Sequence, residues 1–460
     1  MPLMDLAKTD FGSIAANVAR MKLSNMYVAE NPISLSGMSY IARPSLSFFA
    51  TISSQKVRGI FYQGGNGSTT VYVVAGDFLY SLETTTGSFK SLGKTPGSDL
   101  CTFASTIYSI AVVSDGGLYI YDGTTLTNVA IPDGQYVSEV TSLDNYYLVS
   151  IKNTSKFYWV KPGEITIDPL NFTSAERNPD DIVSIIAIGD EMWTIGQSSV
   201  EIFVDSGDPA APFTRISGRV YQNGCVDKHS VVKCNKDSLP CLIWVTPTRE
   251  VILAQGQPNK ISNESVEELL KLSTTFTAWT FRTNRHDFYV LSTANETLVY
   301  DITANFWYRW STYLKNTWDA FSGTQIDNNI FCIDAVNGSI YTLTNNPVDN
   351  TTDYLVCEVS GFVPNSTNNS VVCHAVTLFL NYGRSTTYGK KPLIEMRWSD
   401  DQGTTWGPYY QSTLGDRGAA DTTSRFRSLG SFNRPGRMFE FRFSELLTFR
   451  LDGVTMNDSV

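Results

Sequence analysis

Residues 399–406 read SDDQGTTW, the spacing S-x-D-x-G-x-T-W of the Asp-box turn in sialidases and related β-propeller enzymes. Ser399 and Asp401 have short polar side chains that hydrogen-bond the backbone of their own turn. Gly403 supplies a positive φ, Thr405 falls on the box threonine, and Trp406 covers the returning strand. Those roles describe a staple for a hairpin and include no catalytic group. Elsewhere the residue types that do chemistry are sparse. Three histidines, His229, His286 and His374, are scattered without metal-ligand spacing, so no metal site is expected. Neither G-x-S-x-G nor H-E-x-x-H occurs. The segment GGNGSTT (64–70) lacks the lysine of a phosphate loop and lies between strand-like runs, so it reads as a hairpin tip. The pairs Asp180–Asp181 and Asp400–Asp401 sit in turn-like segments, and adjacency cannot place two carboxylates across a cleft as a glycosidase needs. The expectation is a protein without catalytic centre, cofactor or metal.

The elements that carry these residues are predicted to be β-strands. The chain has 460 residues, long for a single core, with 42% hydrophobic and 17% charged residues and 25 Phe, 23 Tyr and 9 Trp. Few charges with many aromatics suits an all-β protein. A net charge of −10 argues against sequence-specific nucleic-acid binding by the whole chain. Seven cysteines without a C-x-x-C pair read as free, mostly buried thiols in a reducing cytoplasm. No run approaches the length of a membrane span, and the first twenty residues lack a signal-peptide core. Sequons at Asn66, Asn153, Asn171, Asn263, Asn295 and Asn337 read more simply as Asn-rich turns.

An apolar hairpin recurs at 71–82, 108–121, 146–160, 191–204, 241–254, 287–300 and 329–343, spaced like four-stranded propeller blades. Most hairpins are preceded by a further strand, and several are followed by an outer one. Seven blades between 44 and 346 are favoured and six are possible, since the spacing stretches near 204–227. The last unit lacks a fourth strand, which PSLSFFATIS (44–53) could supply; otherwise the ring would expose sheet edges. NESVEELLKL (263–272) is the best helix, capped by Ser262 or Asn263. The predicted division is an N-terminal arm (1–43), the propeller (44–346), a linker (347–353) and an antiparallel β-sandwich (354–460) that holds the Asp-box hairpin. Residues 390–452 carry ten Lys/Arg against eight Asp/Glu, a net of +2, which leaves −12 for the rest of the −10 chain. Among these cations Arg425, Arg427, Arg434 and Arg437 are candidates for a subunit interface, against the plainer reading of a solvated strand face.

Three stretches resemble a known family. RMKLSNMYVAENP…YIARPSLSFF (20–49), with Asn25, Met26, Tyr27, Arg43 and Pro44, is similar to the opening of tail hub or nozzle proteins of short-tailed phages, also described as packaged-DNA stabilisation proteins. Ser45 stands where the family usually has glycine. Residues 179–225 match more specifically, at Trp193, Gly196, Ser199, Glu201, Phe213, Gly224 and Cys225. RWSDDQGTTWG and RFRSLGSFNRPGRMFEFRFSE resemble the family's C-terminal end. The resemblance implies a virion protein that folds in the host cytoplasm and forms a six-fold ring beneath adaptor and portal. It implies contact with a tail fibre or tailspike, retention of packaged double-stranded DNA, and its conduction without sequence-specific binding. The alternatives are a sialidase-like glycan hydrolase or glycan-binding propeller, and a cytoplasmic propeller scaffold for peptides. Against the first stand one Asp box instead of several and no recognisable arginine triad.

Overall fold

The computed structural model describes residues 3–11, 21–64, 70–178, 180–334, 336–346, 348–349, 353–382, 392–414, 421–445 and 448–457. The Gly-rich tip at 64–70 with Asn66, most of the 347–353 linker, and Lys390 and Lys391 fall wholly or largely outside them.

Seven four-stranded antiparallel units follow one another in chain order. Their innermost strands are Val57–Tyr62, Thr102–Ser105, Val137–Leu143, Ile182–Ile188, Val232–Lys236, Phe276–Thr283 and Ser322–Ile326. Tight turns with positive φ set the hairpins: Asp115–Gly116, Asp144–Asn145, Asp237–Ser238 and Asn284–Arg285. A two-residue turn with both φ positive matches the right-handed twist of the flanking strands. Alternate side chains of each sheet face the neighbouring blade, and the apolar core is a ring of such contacts. One cluster joins blades one and two through Val74, Leu79, Ile110 and Val112. Another joins blades seven and one through Ile52, Val57, Val73, Phe331 and Ile340.

The ring is closed by the strand expected to close it. Ser45–Ser53 pairs antiparallel with Gly338–Thr344 as the outer strand of blade seven, from Thr344↔Ser45 to Gly338↔Ser53. The single α-helix among the described residues, Glu264–Lys271, connects blades five and six. Asn263 caps it by accepting from the Val266 amide at 3.0 Å, and Val266 and Leu270 are buried between the two blades.

Most of the remaining strands form two sheets around a shared core, and the chain contributes to both from each end. One contains Leu23–Ser24, Cys357–Pro364, Gly436–Phe443, Leu393–Ser399 and Tyr410–Thr413. The other contains Met26–Glu30, Met38–Ala42, Phe449–Met456, Ala375–Tyr382 and Asp421–Arg427. The segment expected as an arm is therefore strand-paired within the C-terminal module. Leu23, Met26 and Tyr27 are fully buried there, and an apolar strand with free edges gains most by pairing. Leu23–Ser24 also pairs in parallel with blade six, Ser24 opposite Arg309, so this sheet continues into the propeller.

Candidate functional site

The Asp box lies at the end of strand Leu393–Ser399, outside the blades. Ser399 is buried; its hydroxyl donates to Asp401 Oδ1 at 2.6 Å and accepts from the Gly403 amide at 2.8 Å. Asp401 accepts from the Thr405 amide at 2.8 Å and the Thr405 hydroxyl at 2.5 Å. These donors, the Ser399 hydroxyl first, lower the Asp401 carboxyl to about 2. Gly403 sits at φ +84°. A carboxylate held ionised by three donors of its own turn is committed to that turn.

The four candidate arginines divide. Arg437 is buried and bidentate to Asp400, at 2.7 and 2.8 Å. It also donates to the Ser431 carbonyl at 3.0 Å, and its guanidinium lies 5.2 Å from the Trp398 ring centroid and 5.1 Å from that of Phe432. The expectation that Arg437 faces a partner is corrected: it is buried and its donors are engaged by Asp400 and by carbonyls of its own chain, so it anchors the loop before its strand. Arg425 is half-buried on strand Asp421–Arg427, opposite Thr377. Arg427 and Arg434 are exposed; Arg434 reaches Asn368 Oδ1 at 3.4 Å.

Beside the box is an ion-pair ladder that the sequence does not announce, because its members alternate along separate strands. Glu358, Arg442 and Glu395 are register neighbours, as are Ser360, Glu440 and Arg397. Arg442 pairs with Glu395 at 2.5 Å and Arg397 with Glu440 at 2.6 Å. The Tyr409 hydroxyl donates to Glu440 at 2.7 Å, with the Arg442 guanidinium 4.0 Å from its ring centroid. A tyrosine, carboxylates and arginines together could suggest glycan chemistry. Burial and then the Glu440 hydrogen bond instead push the Tyr409 phenol well above its ordinary range, away from a phenolate. Each arginine is already paired with a carboxylate of this chain. The ladder holds the sheet together.

Along the propeller axis the inner strands need partners for backbone groups that face a neighbouring blade rather than a strand. Glu139 Oε2 accepts from the Ile185 amide at 2.8 Å, Thr141 from Ala187 at 3.0 Å, and Gln325 from Arg282 at 2.8 Å. The Lys228 ammonium donates to the Ser138 carbonyl, linking blade five to blade three. Glu139 is buried; desolvation raises its carboxyl to about 7, against a partial lowering by Lys228. At one mouth of the axis a cavity of about 1010 Å³ is bordered by Lys56, Lys228 and Lys315 and by Asp99, Asp227, Asp319 and Asp334. The mixed signs select neither an anion nor a cation. No group of metal-ligating side chains is found among the described residues.

The first two of the three stretches that carried the resemblance prove to be joints. Arg43 and Asp349 form a buried ion pair at 2.5 Å. Arg43 Nε donates to Asn25 Oδ1 at 3.1 Å, and Nη2 to the Ser311 carbonyl at 2.7 Å, under the Trp318 ring. Asn25, at φ +57°, also donates to the Val356 carbonyl and accepts from the Ser311 amide. The N-terminal strands, the segment after blade six and the propeller's exit thus meet at one point. In blade four, Asp180 accepts from the Ser198 and Ser199 amides at 2.8 and 3.0 Å. A Cβ on Gly196 would lie 2.5 Å from Asp180, and one on Gly224 would lie 2.1 Å from the Gln197 carbonyl oxygen, so both positions exclude a side chain. Glu201 is buried, paired with Arg215 at 3.0 Å.

Residues 15–348 match the family described as "Bacteriophage P22 Gp10, beta-propeller". No curated protein sequence matches. Solved structures with a similar course include the computationally designed Ika8 protein, at 13% identity over 74% of this chain and all of that one, TM-score 0.41. YCF48 from Cyanidioschyzon merolae aligns at 10% identity over 65% of this chain and 98% of that one, TM-score 0.42. The β-propeller domain of Cps50 (Swd1) from Myceliophteria thermophila aligns at 10% identity over 65% and 99%, TM-score 0.43. Likenesses at this level carry no functional argument.

Proposed function

Because the chain belongs to the family described as bacteriophage P22 Gp10, beta-propeller, we propose that it is a structural protein of a phage tail that forms a six-fold hub or nozzle ring below the portal and adaptor. In that place it retains packaged double-stranded DNA and conducts it during ejection, and it meets a tail fibre or tailspike from outside. The observation that supports this most is the extent of the family match. Residues 15–348 take in all seven blades, the closing strand and the Arg43 side of the joint at Asp349. The architecture suits a load-bearing part: a closed ring in which every blade has its four strands, tied to a second module by a sheet that runs through both. Its polar clusters are spent on holding turns and blades. No helix among the described residues is long and apolar enough to cross a membrane. A net charge of −12 outside residues 390–452 suits a wall that DNA passes without adhering, because phosphate contacts by Lys and Arg bind strongly. Electron microscopy of the purified protein, alone and with its portal–adaptor complex, tests the reading. A six-fold ring on the adaptor is expected, and a single bound copy or no binding would overturn it.

A further inference from the structure

The inner hairpin of blade five holds a cysteine pair with no part in the tail reading. Strands Val232–Lys236 and Leu239–Val245 are joined by Asp237–Ser238, at φ 52° and 66°, a turn that fixes register. That register sets Cys234 directly opposite Cys241. Their Sγ atoms are 2.9 Å apart. Opposed residues in an antiparallel ladder have Cα atoms about 4.5–5.5 Å apart. A disulfide accepts about 4.4–6.8 Å. Closing the gap to a bond of about 2.05 Å therefore needs side-chain rotation and leaves the ladder in place.

Access is one-sided. Cys241 is fully buried, whereas Cys234 is half-buried and borders an open pocket of about 370 Å³ with Gly189, Lys233, Asn235 and Pro240. Cys101, Cys225, Cys332, Cys357 and Cys373 are all buried. The sulfur contact, with Cys234 as donor, holds the Cys234 thiol above its ordinary range and draws Cys241 below it. The position of Cys241, 2.9 Å from the Cys234 sulfur, suits it to resolve a mixed disulfide on its neighbour.

We propose that Cys234 and Cys241 are a redox modification site that closes to a cross-strand disulfide on meeting a small-molecule disulfide such as oxidised glutathione. The Cys234 thiol passes its proton to the Cys241 sulfur it faces and attacks one glutathione sulfur, forming a mixed disulfide and releasing one glutathione thiolate. The departing thiolate takes the proton from Cys241, whose sulfur then attacks the Cys234 sulfur and displaces the second glutathione. Two protein thiols give up two electrons and two protons, and one oxidised glutathione becomes two reduced ones. The bond would staple the inner edge of blade five once the protein leaves a reducing cytosol. That consequence rests on the tail reading; bond formation does not.

The test uses the full-length protein, purified reduced, held native with oxidised glutathione, then alkylated and digested with trypsin without reduction. Trypsin cuts after Lys233, Lys236 and Arg249, so the two cysteines fall on peptides 234–236 and 237–249, joined only by the disulfide. The expected result is that most of the material carries the linked pair, lighter by two hydrogens, and that dithiothreitol separates it. Cys241→Ser should instead retain glutathione on Cys234, and Cys234→Ser should leave Cys241 unmodified in the folded protein. A wild-type protein with both cysteines alkylated, or with stable glutathione on Cys234, overturns the proposal whether or not either variant folds. A negative result here leaves the ring test untouched, and the converse holds too.

Discussion

At the scale of single residues, the polar groups that matter are those with no access to water. Arg43 and Asp349 are almost completely buried, and each is held by further hydrogen bonds: Asp349 Oδ1 also accepts from the Leu46 amide at 2.8 Å. Removing one member leaves an uncompensated charge in the interior. Arg43→Ala or Asp349→Ala is expected to cost about 3–5 kcal/mol in urea unfolding. The double change Arg43→Met with Asp349→Leu should cost less than either, because no charge is stranded; equal or larger loss would show that geometry and not charge pairing governs the joint. Glu139 tests the axis. Its carboxyl is raised from an ordinary 4.5 to about 7, so the folded state holds the proton more tightly than the unfolded state. Its contribution is then fully present below about pH 4.5 and is lost as pH rises through about 7, by roughly 3 kcal/mol at most. Glu139→Gln keeps an acceptor for Ile185 and removes the titration. Its unfolding free energy should be flatter than wild type between pH 5 and 7.5, and parallel profiles would count against the assignment.

At the scale of elements, the closing strand decides whether the ring is one cooperative unit. Ile52 belongs to the cluster between blades seven and one, and truncation to Ala is expected to cost about 2–4 kcal/mol. One unfolding transition should move as a whole. A separate early transition for blade seven, with the rest unchanged, would show that closure adds little to the ring. Much of this architecture was legible in the sequence, for a local reason. Hairpins announce themselves through alternation and through Asp, Asn and Gly at turns, and seven of them lay where blades were expected. The missed strands are those that lack this signal. Thr102–Ser105 is four residues long, Gln257–Lys260 includes a proline, and Phe172–Ser174 follows a long loop. Trp318 and Ala320, just before strand Ser322–Ile326, are buried in a connection and not in a strand, so their apolar signal does not mark the entry to blade seven. The candidate site was less legible. The Asp box is a local pattern, but Arg437 could be assigned to Asp400, Trp398 and Phe432 only once three separated strands were assembled. The entry of residues 23–42 into both C-terminal sheets depends on partners more than 300 positions away, and no local pattern encodes that choice.

At the scale of the whole molecule, the question is which cations remain for another chain. Arg437 is excluded by its own contacts, and Arg425 is half-buried. Arg427 and Arg434 stay exposed at the ends of strands in the C-terminal module, the part of the chain with net positive charge. If ring assembly draws these charges toward the acidic remainder of a neighbouring copy or toward the adaptor, reversing them adds repulsion where attraction stood, without disturbing a core. Arg427→Glu with Arg434→Glu is expected to leave the melting temperature within a degree or two of wild type and to weaken ring formation on the adaptor at least tenfold, more at low salt than at high salt. Arg437→Glu should behave oppositely, lowering the melting temperature by losing the Asp400 pair and the packing of its loop. Sedimentation and electron microscopy of the three proteins, with adaptor present, separate these outcomes. A double variant that assembles like wild type at every salt concentration would remove Arg427 and Arg434 from the interface and move the search to the exposed apolar hairpin tip at Ile33 and Leu35.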